Sequence, residues 1–115
     1  MAANLLASTI VVGKTAVQSV INTAATIVSN AVSSGKVLKI NALYISNINS
    51  SPASVNVDIY RTSTAYRMGC AITIPSTTTF DVISKTIYLE EGDSLRLTAS
   101  ANNYLEAVCS YEDIT

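Results

Sequence analysis

Several groups of side chains in this 115-residue sequence carry reactive chemistry, and each lacks something the chemistry needs. Histidine is absent, so the commonest general base and the commonest metal ligand are both missing. A serine nucleophile has no imidazole to take its proton, and in Ser84-Lys85 the two side chains, as neighbours on a strand, would point to opposite faces. Cys70 and Cys109 are too few and too far apart for a zinc site and read as small core hydrophobes. Glu90, Glu91 and Asp93 crowd one turn, and Asp58, Glu112 and Asp113 are the acids that would have to join them around calcium, which takes about six to eight oxygens. Their spacing matches no calcium loop. The simpler reading is a solvated turn in which Gly92 supplies a positive φ and Asp93 bonds the local backbone. The glycines Gly13, Gly35, Gly69 and Gly92 form no phosphate-cradling loop. The sequence therefore predicts no catalytic residue, no metal site, no cofactor and no enzyme.

The distribution of charge is more informative. Charged residues make up 13% of the chain, about half the share of ordinary soluble proteins, while hydrophobic ones make up 49%. Nothing between Lys14 and Lys36 ionises, and the first carboxylate is Asp58. Residues 1–57 carry only Lys14, Lys36 and Lys39, a formal charge of +3, whereas residues 58–115 carry four bases against eight acids, or −4. A monomer with so weak a charge is poorly protected against association, which points to a subunit. The split also predicts contacts between oppositely charged surfaces of neighbouring copies. A net charge of −1 without a basic cluster argues against nucleic acid, and no lysine-rich segment suggests a membrane surface. The uncharged stretch is broken by Gln18, Ser19, Asn22, Thr23, Ser29 and Asn30, so it is too polar for a membrane span of about 20 apolar residues. The first ten residues lack the positive start of a signal peptide, which predicts synthesis and retention in a cytoplasm until assembly. That reducing setting weighs against a Cys70–Cys109 disulfide.

From Lys36 onward the sequence alternates with a period of two, the pattern of strands with one buried face. Leu38, Ile40, Ala42 and Tyr44 form one apolar row, with Leu43 and Ile45 on the other parity, so both faces of this strand are expected to be covered. Val55, Val57 and Ile59 follow the turn Asn49-Ser-Ser-Pro52. Tyr66, Met68, Cys70, Ile72 and Ile74 share a parity up to Pro75, which should end the strand, and Gly69 marks a candidate bulge. Phe80 and Val82, Ile87 and Leu89, Leu95, Leu97 and Ala99, then Leu105, Ala107, Cys109 and Tyr111 complete the series. Many short, closely spaced strands indicate an all-β, antiparallel β-sandwich of jelly-roll type in one domain, residues 15–115, preceded by an extended arm, residues 1–14.

Between these parts, Val17, Val20, Ile21, Ala24, Ile27, Val28, Ala31 and Val32 also fit an amphipathic helix. Its other face would hold only Gln, Ser, Asn and Thr, where exposed helices use Glu and Lys, so two strands near residues 15–20 and 26–31 are preferred. Six tyrosines, Tyr44, Tyr60, Tyr66, Tyr88, Tyr104 and Tyr111, suit half-buried core or contact positions better than a sugar-binding platform.

The run Ser33-Ser-Gly-Lys-Val-Leu-Lys-Ile-Asn-Ala-Leu-Tyr-Ile-Ser-Asn47, with Ser63-Thr-Ala-Tyr-Arg67, Ile87-Tyr-Leu-Glu-Glu-Gly-Asp-Ser-Leu-Arg96 and Leu105-Glu-Ala-Val-Cys-Ser-Tyr-Glu-Asp-Ile114, resembles small virion proteins of tailed phages, especially those of cyanobacterial and marine hosts. The resemblance implies a non-enzymatic β-sandwich of the phage particle, made in the host bacterial cytoplasm, and supplies no catalytic residue. Capsid decoration or cement is the role it favours. A neck or tail accessory protein and a receptor- or glycan-binding module at the tail are the alternatives. The expected partners are copies of the chain itself and other virion proteins, the major capsid protein or neck and tail proteins. The residues expected to form the assembly interface are Leu5, Leu6, Ile10 and Val11 in the arm and Val17, Val20, Ile21, Ile27 and Val28 in the uncharged stretch.

Overall fold

A computed structural model describes residues 10–115 as nine strands and no helix. They are β1 (Val11–Val20), β2 (Ala25–Ser29), β3 (Val37–Asn47), β4 (Ala53–Arg61), β5 (Thr64–Ile74), β6 (Thr79–Asp81), β7 (Ile87–Leu89), β8 (Ser94–Ala99) and β9 (Leu105–Ile114). One sheet runs β1-β9-β3-β6, with β7 also paired to β3, and the other runs β2-β8-β4-β5; every pairing is antiparallel. This is the strand order of an eight-stranded jelly roll whose sixth strand is split into β6 and β7. The uncharged stretch forms strands rather than a helix. β1 begins at Val11, so residues 11–14, expected in the arm, belong to the sheet: each pairs with β9, from Val11↔Ile114 to Lys14↔Tyr111.

The core fills the space between the sheets, with Ile40, Leu43, Ile45, Val57, Leu89, Leu95, Leu97 and Cys109 wholly buried. β3 does not cover both faces in the way its composition suggests. Its register slips between Ile40 and Ala42, a bulge at Asn41 that switches the inward parity from Leu38 and Ile40 to Leu43, Ile45 and Asn47. Ala42 and Tyr44, expected in a covered apolar row with Leu38 and Ile40, therefore face outward. The bulge lies opposite the break between β6 and β7. There the Asp81 carboxylate accepts from the Leu43 and Ile83 N–H groups, each at 3.2 Å, and Val82 N donates to Leu43 O at 2.9 Å.

β5 is bent by slips on both sides of Gly69, which pairs with Val57. Gly69 occupies an inward slot that the Ile72 side chain fills instead, since a Cβ there would lie 2.4 Å from Ile72 Cδ1. The extra residues push Cys70 to the surface, so the expectation of two core cysteines holds only for Cys109.

A buried asparagine closes each end of the sandwich. Asn30 donates to Lys36 O and Leu89 O and accepts from Ser34 Oγ. Asn47 donates to Ser51 O and Ile74 O and accepts from Asn49 N, each at 2.9 Å.

Candidate assembly surface

Four strand edges end the two sheets, and the sequence protects three of them. β2 is five residues long, β6 and β7 are three each, and β5 carries two bulges and Arg67. Short strands, bulges and charge are the usual defences of an edge against pairing with another chain. β1 is neither short nor bulged. It pairs with β9 over ten consecutive residues without a slip, and its single charge, Lys14, is bound to Asp113 at 3.1 Å. Its outer side meets no strand among the described residues.

The outer face beside this edge carries one apolar row. Antiparallel register lines up Val17, Val108 and Tyr44 across β1, β9 and β3, and these side chains are 74%, 39% and 44% exposed. Ser19, Glu106 and Ser46 form the next row on one side, and Thr15, Ser110 and Ala42 the next on the other. Val17, Gln18, Ser19, Glu106, Ala107 and Val108 line a surface groove of about 410 Å³.

The two lateral sides of the sandwich differ. On the β1–β2 side Gln18 bridges the sheets, donating to Thr26 O at 2.9 Å. On the opposite side β5 and β7 leave a cleft of about 380 Å³ lined by Ile59, Arg61, Tyr66, Ile87 and Tyr88. Tyr66 pairs with Ile59, Ile87 with Ile40 and Phe80 with Ile45, so all three stand on the core-facing parity of edge strands. Tyr66 is nevertheless 58% exposed and Phe80 41%.

The ion pairs correct the expected charge split. All three lysines of residues 1–57 bind acids of the second half: Lys14 and Lys36 share Asp113 Oδ2 at 3.1 Å each, and Lys39 reaches Glu112 at 3.7 Å. The cause is topological, because β9 lies between β1 and β3 and brings the last acids against the first lysines. Opposite charges therefore meet within the subunit and do not form two opposed surfaces. Burial alone would push the Asp113 carboxyl up, but hydrogen bonds from both lysines and their charges outweigh it and hold it below the usual carboxylate range.

The acidic turn forms a second network. Arg61 grips Asp93 with two bonds of 2.6 Å and Glu90 with one of 2.8 Å, and Glu90 N donates to Asp93 Oδ2. Burial raises the Asp93 carboxyl, yet the Arg61 bonds, the Glu90 N–H and the Arg61 charge leave it lowered. Gly92 has φ +88, as the turn reading requires. Asp58, fully buried beneath Arg67, sits between Arg67 and Arg96 in register, and Arg96 lies 4.1 Å over the Tyr60 ring. The described residues gather no group of three or more His, Cys, Asp or Glu able to hold a metal.

Of the expected interface residues, Leu5 and Leu6 lie outside the described residues. Ile10, Val11, Val17 and Ile21 are exposed at 56%, 56%, 74% and 42%. Ile27 is half-buried against the core. Val20 and Val28 are core residues, 1% and 4% exposed, because they fall on the inward parity of β1 and β2; they are removed from the interface. Val108 and Tyr44 are exposed beside Val17 instead. Their separation in sequence hid them, and only the β1-β9-β3 register brings them beside Val17. Ser84 and Lys85 lie in the bend between β6 and β7 and not on a strand, and both are exposed. The tyrosines divide: Tyr104 and Tyr111 pack on the core, Tyr60 is half-buried, and Tyr44, Tyr66 and Tyr88 are exposed.

The sequence matches no protein-family model and no curated protein. In the solved structures, a subunit of Bacillus endospore appendages, described as a novel family of disulfide-linked pili, superposes with a TM-score of 0.55 at 15% identity, over 94% of this chain and 89% of that one. The likeness is one of fold: a small β-rich structural protein has the same architecture.

Proposed function

We propose that this chain is a non-catalytic structural subunit that associates with copies of itself and with neighbouring proteins through its β1 side, and that its setting is a tailed-phage virion, as head decoration or cement. The observation that carries the reading is the long, bulge-free β1 edge, with the Val17–Val108–Tyr44 row beside it. An edge of this kind accepts main-chain hydrogen bonds from another strand, and the apolar row supplies burial energy. The resemblance of its segments to phage virion proteins supports the setting. A fibre built by repetition of the subunit is the second reading, favoured by the fold likeness to a pilus protein.

The disulfide linkage of those pili does not transfer. A chain of covalently linked copies needs two reachable thiols per subunit. This sequence has two cysteines, and Cys109 is wholly buried, with burial and then Asp81 pushing its thiol up to about 11. Cys70 alone can link no more than two copies, so repeated association here does not run through disulfides.

Val17→Asp tests the reading. Fully burying a valine is worth about 1.5–3 kcal/mol. An aspartate in its place removes most of that and adds desolvation of a charge, so self-association should weaken by about tenfold or more, with the fold unchanged. Sedimentation velocity over a concentration series measures it. Equal association of variant and wild type removes this surface from the reading, and a wild-type protein that stays monomeric removes the reading itself. Absence of the chain from purified phage heads, by antibody labelling in electron microscopy, would remove the proposed setting.

A further inference from the structure

We propose that the cleft between β5 and β7 receives residues 2–9 of a second copy, with Leu5 and Leu6 seated between Tyr66 and Ile87. The inference rests on the reading of the chain as an assembly subunit and names the partner of its second side.

The cleft is an unfinished part of the core. Tyr66 and Ile87 line it from inward positions, yet Tyr66 stays 58% exposed because no side chain among the described residues covers it. On the β1–β2 side the corresponding gap is bridged by Gln18. The cleft asks for an uncharged, apolar insert, since its one charged wall, Arg61, is already held by Asp93 and Glu90. Residues 2–9, Ala-Ala-Asn-Leu-Leu-Ala-Ser-Thr, carry no charge and offer two adjacent leucines. In an extended segment adjacent side chains point opposite ways, so Leu5 and Leu6 would reach the two lips, one on each sheet.

Position selects a second copy. The described chain begins at Ile10, whose carbonyl accepts from Thr115 N beside β1, and β1 and β5 lie at opposite lateral sides of the sandwich. Nine residues span up to about 30 Å, enough to leave one subunit and enter the next. A donor on one side and an acceptor on the other make a head-to-tail contact, which propagates as a ring or a filament.

Cysteine pairing between two distinguishable chains tests this. One chain carries Leu6→Cys and the other, mass-tagged, carries Tyr66→Cys, both with Cys70→Ser; control chains carry Ser51→Cys, an exposed position at the far end, in place of Tyr66→Cys. After mixing and mild oxidation, docking should raise the yield of mixed disulfide dimer at least about fivefold over the control. Equal yields overturn the proposal. So does a single chain bearing both Leu6→Cys and Tyr66→Cys that closes only on itself, which would mean the arm returns to its own cleft. If wild type still sediments as an oligomer while the yields are equal, the cleft assignment fails and the subunit reading stands; if wild type is monomeric at its highest soluble concentration, both fail.

Discussion

Asn47 offers the sharpest test of what holds the sandwich closed. It is 2% exposed and serves three backbone groups: Ile74 O in a buried bond, and Ser51 O and Asn49 N in part-buried ones. Asn47→Leu keeps the branched shape, with two methyl groups in place of the amide oxygen and nitrogen, and leaves all three without this partner. The buried carbonyl loses about 2–3 kcal/mol and each part-buried group, which regains some water, about 0.5–1, for a total of about 3–5 kcal/mol. That is a large share of the roughly 5–15 kcal/mol that stabilises a domain, and should lower the melting temperature by about 10–25 °C. Urea unfolding followed by circular dichroism gives the number. Asn47→Asp separates hydrogen bonding from packing: it keeps the acceptor for Asn49 N but turns both donors into acceptors, so at pH 7 it should cost at least as much as leucine. Ser46→Ala, which removes a hydroxyl bonded to Thr79 Oγ1 at 2.7 Å in an exposed setting, should stay within about 0.5 kcal/mol. A loss below about 1 kcal/mol for Asn47→Leu would mean that water or backbone movement satisfies these groups and that the asparagine is not the closure.

Asp93 and Asp113 are both held below the usual carboxylate range, so the stability they contribute is complete above the unfolded value of about 3.9 and is lost as pH falls through their folded values. The urea midpoint should be flat near neutrality and fall on acidification below about pH 4, and a midpoint that rises there would contradict the pairing. Gly69→Ala places a Cβ against the free end of Ile72 and should destabilise by about 1–2 kcal/mol; in an Ile72→Val background, where Cδ1 is gone, most of that loss should vanish in a double-mutant cycle. The β4–β5 hairpin turns on Thr62 and Ser63 at φ 51 and 58, the positive values that asparagine and glycine adopt more easily, so Thr62→Asn with Ser63→Gly should raise stability by about 0.5–2 kcal/mol in thermal unfolding.

That turn also shows where sequence reading stops. β8 alternates cleanly throughout, as do β4 over residues 53–57 and β9 over residues 105–109, and these inward rows are legible in the sequence. β3 and β5 alternate as well, but one extra residue near Asn41 and others near Gly69 exchange the inner and outer rows, and a bulge carries no strong signature beyond glycine. Tyr44 and Cys70 are misplaced for that reason alone. The Thr62-Ser63 turn lacks the asparagine-glycine signal that would announce it, and the Gly13-Lys14 pair looked like the end of an arm when Lys14 in fact reaches Asp113 from within β1. The exposed apolar row is half visible in the sequence: Val17 stands in an uncharged stretch, but nothing local links it to Tyr44 or Val108, which need the strand order to become neighbours.

Strand order also explains what the missing charge became. The connections at one end of the sandwich, residues 21–24, 48–52, 75–78 and 100–104, contain no ionisable group except the Tyr104 phenol. They are tied together by Ala99 N to Ile21 O, Asn22 N to Asn102 Oδ1, Ile48 N to Tyr104 O, Asn47 N to Thr78 O and Ser100 N to Ser54 O. The opposite end holds Lys36, Arg61, Glu90, Glu91 and Asp93, with Lys14 and Asp113 beside them. Charge thus divides along the axis of the sandwich and not between halves of the chain, and most of it is already paired. The row proposed for contact on the β1 side, Val17, Val108 and Tyr44, is uncharged, so association through it gains little from long-range attraction and loses little to screening. Association of such a subunit should persist in high salt, where the contact between opposed charged surfaces that the sequence first suggested would weaken.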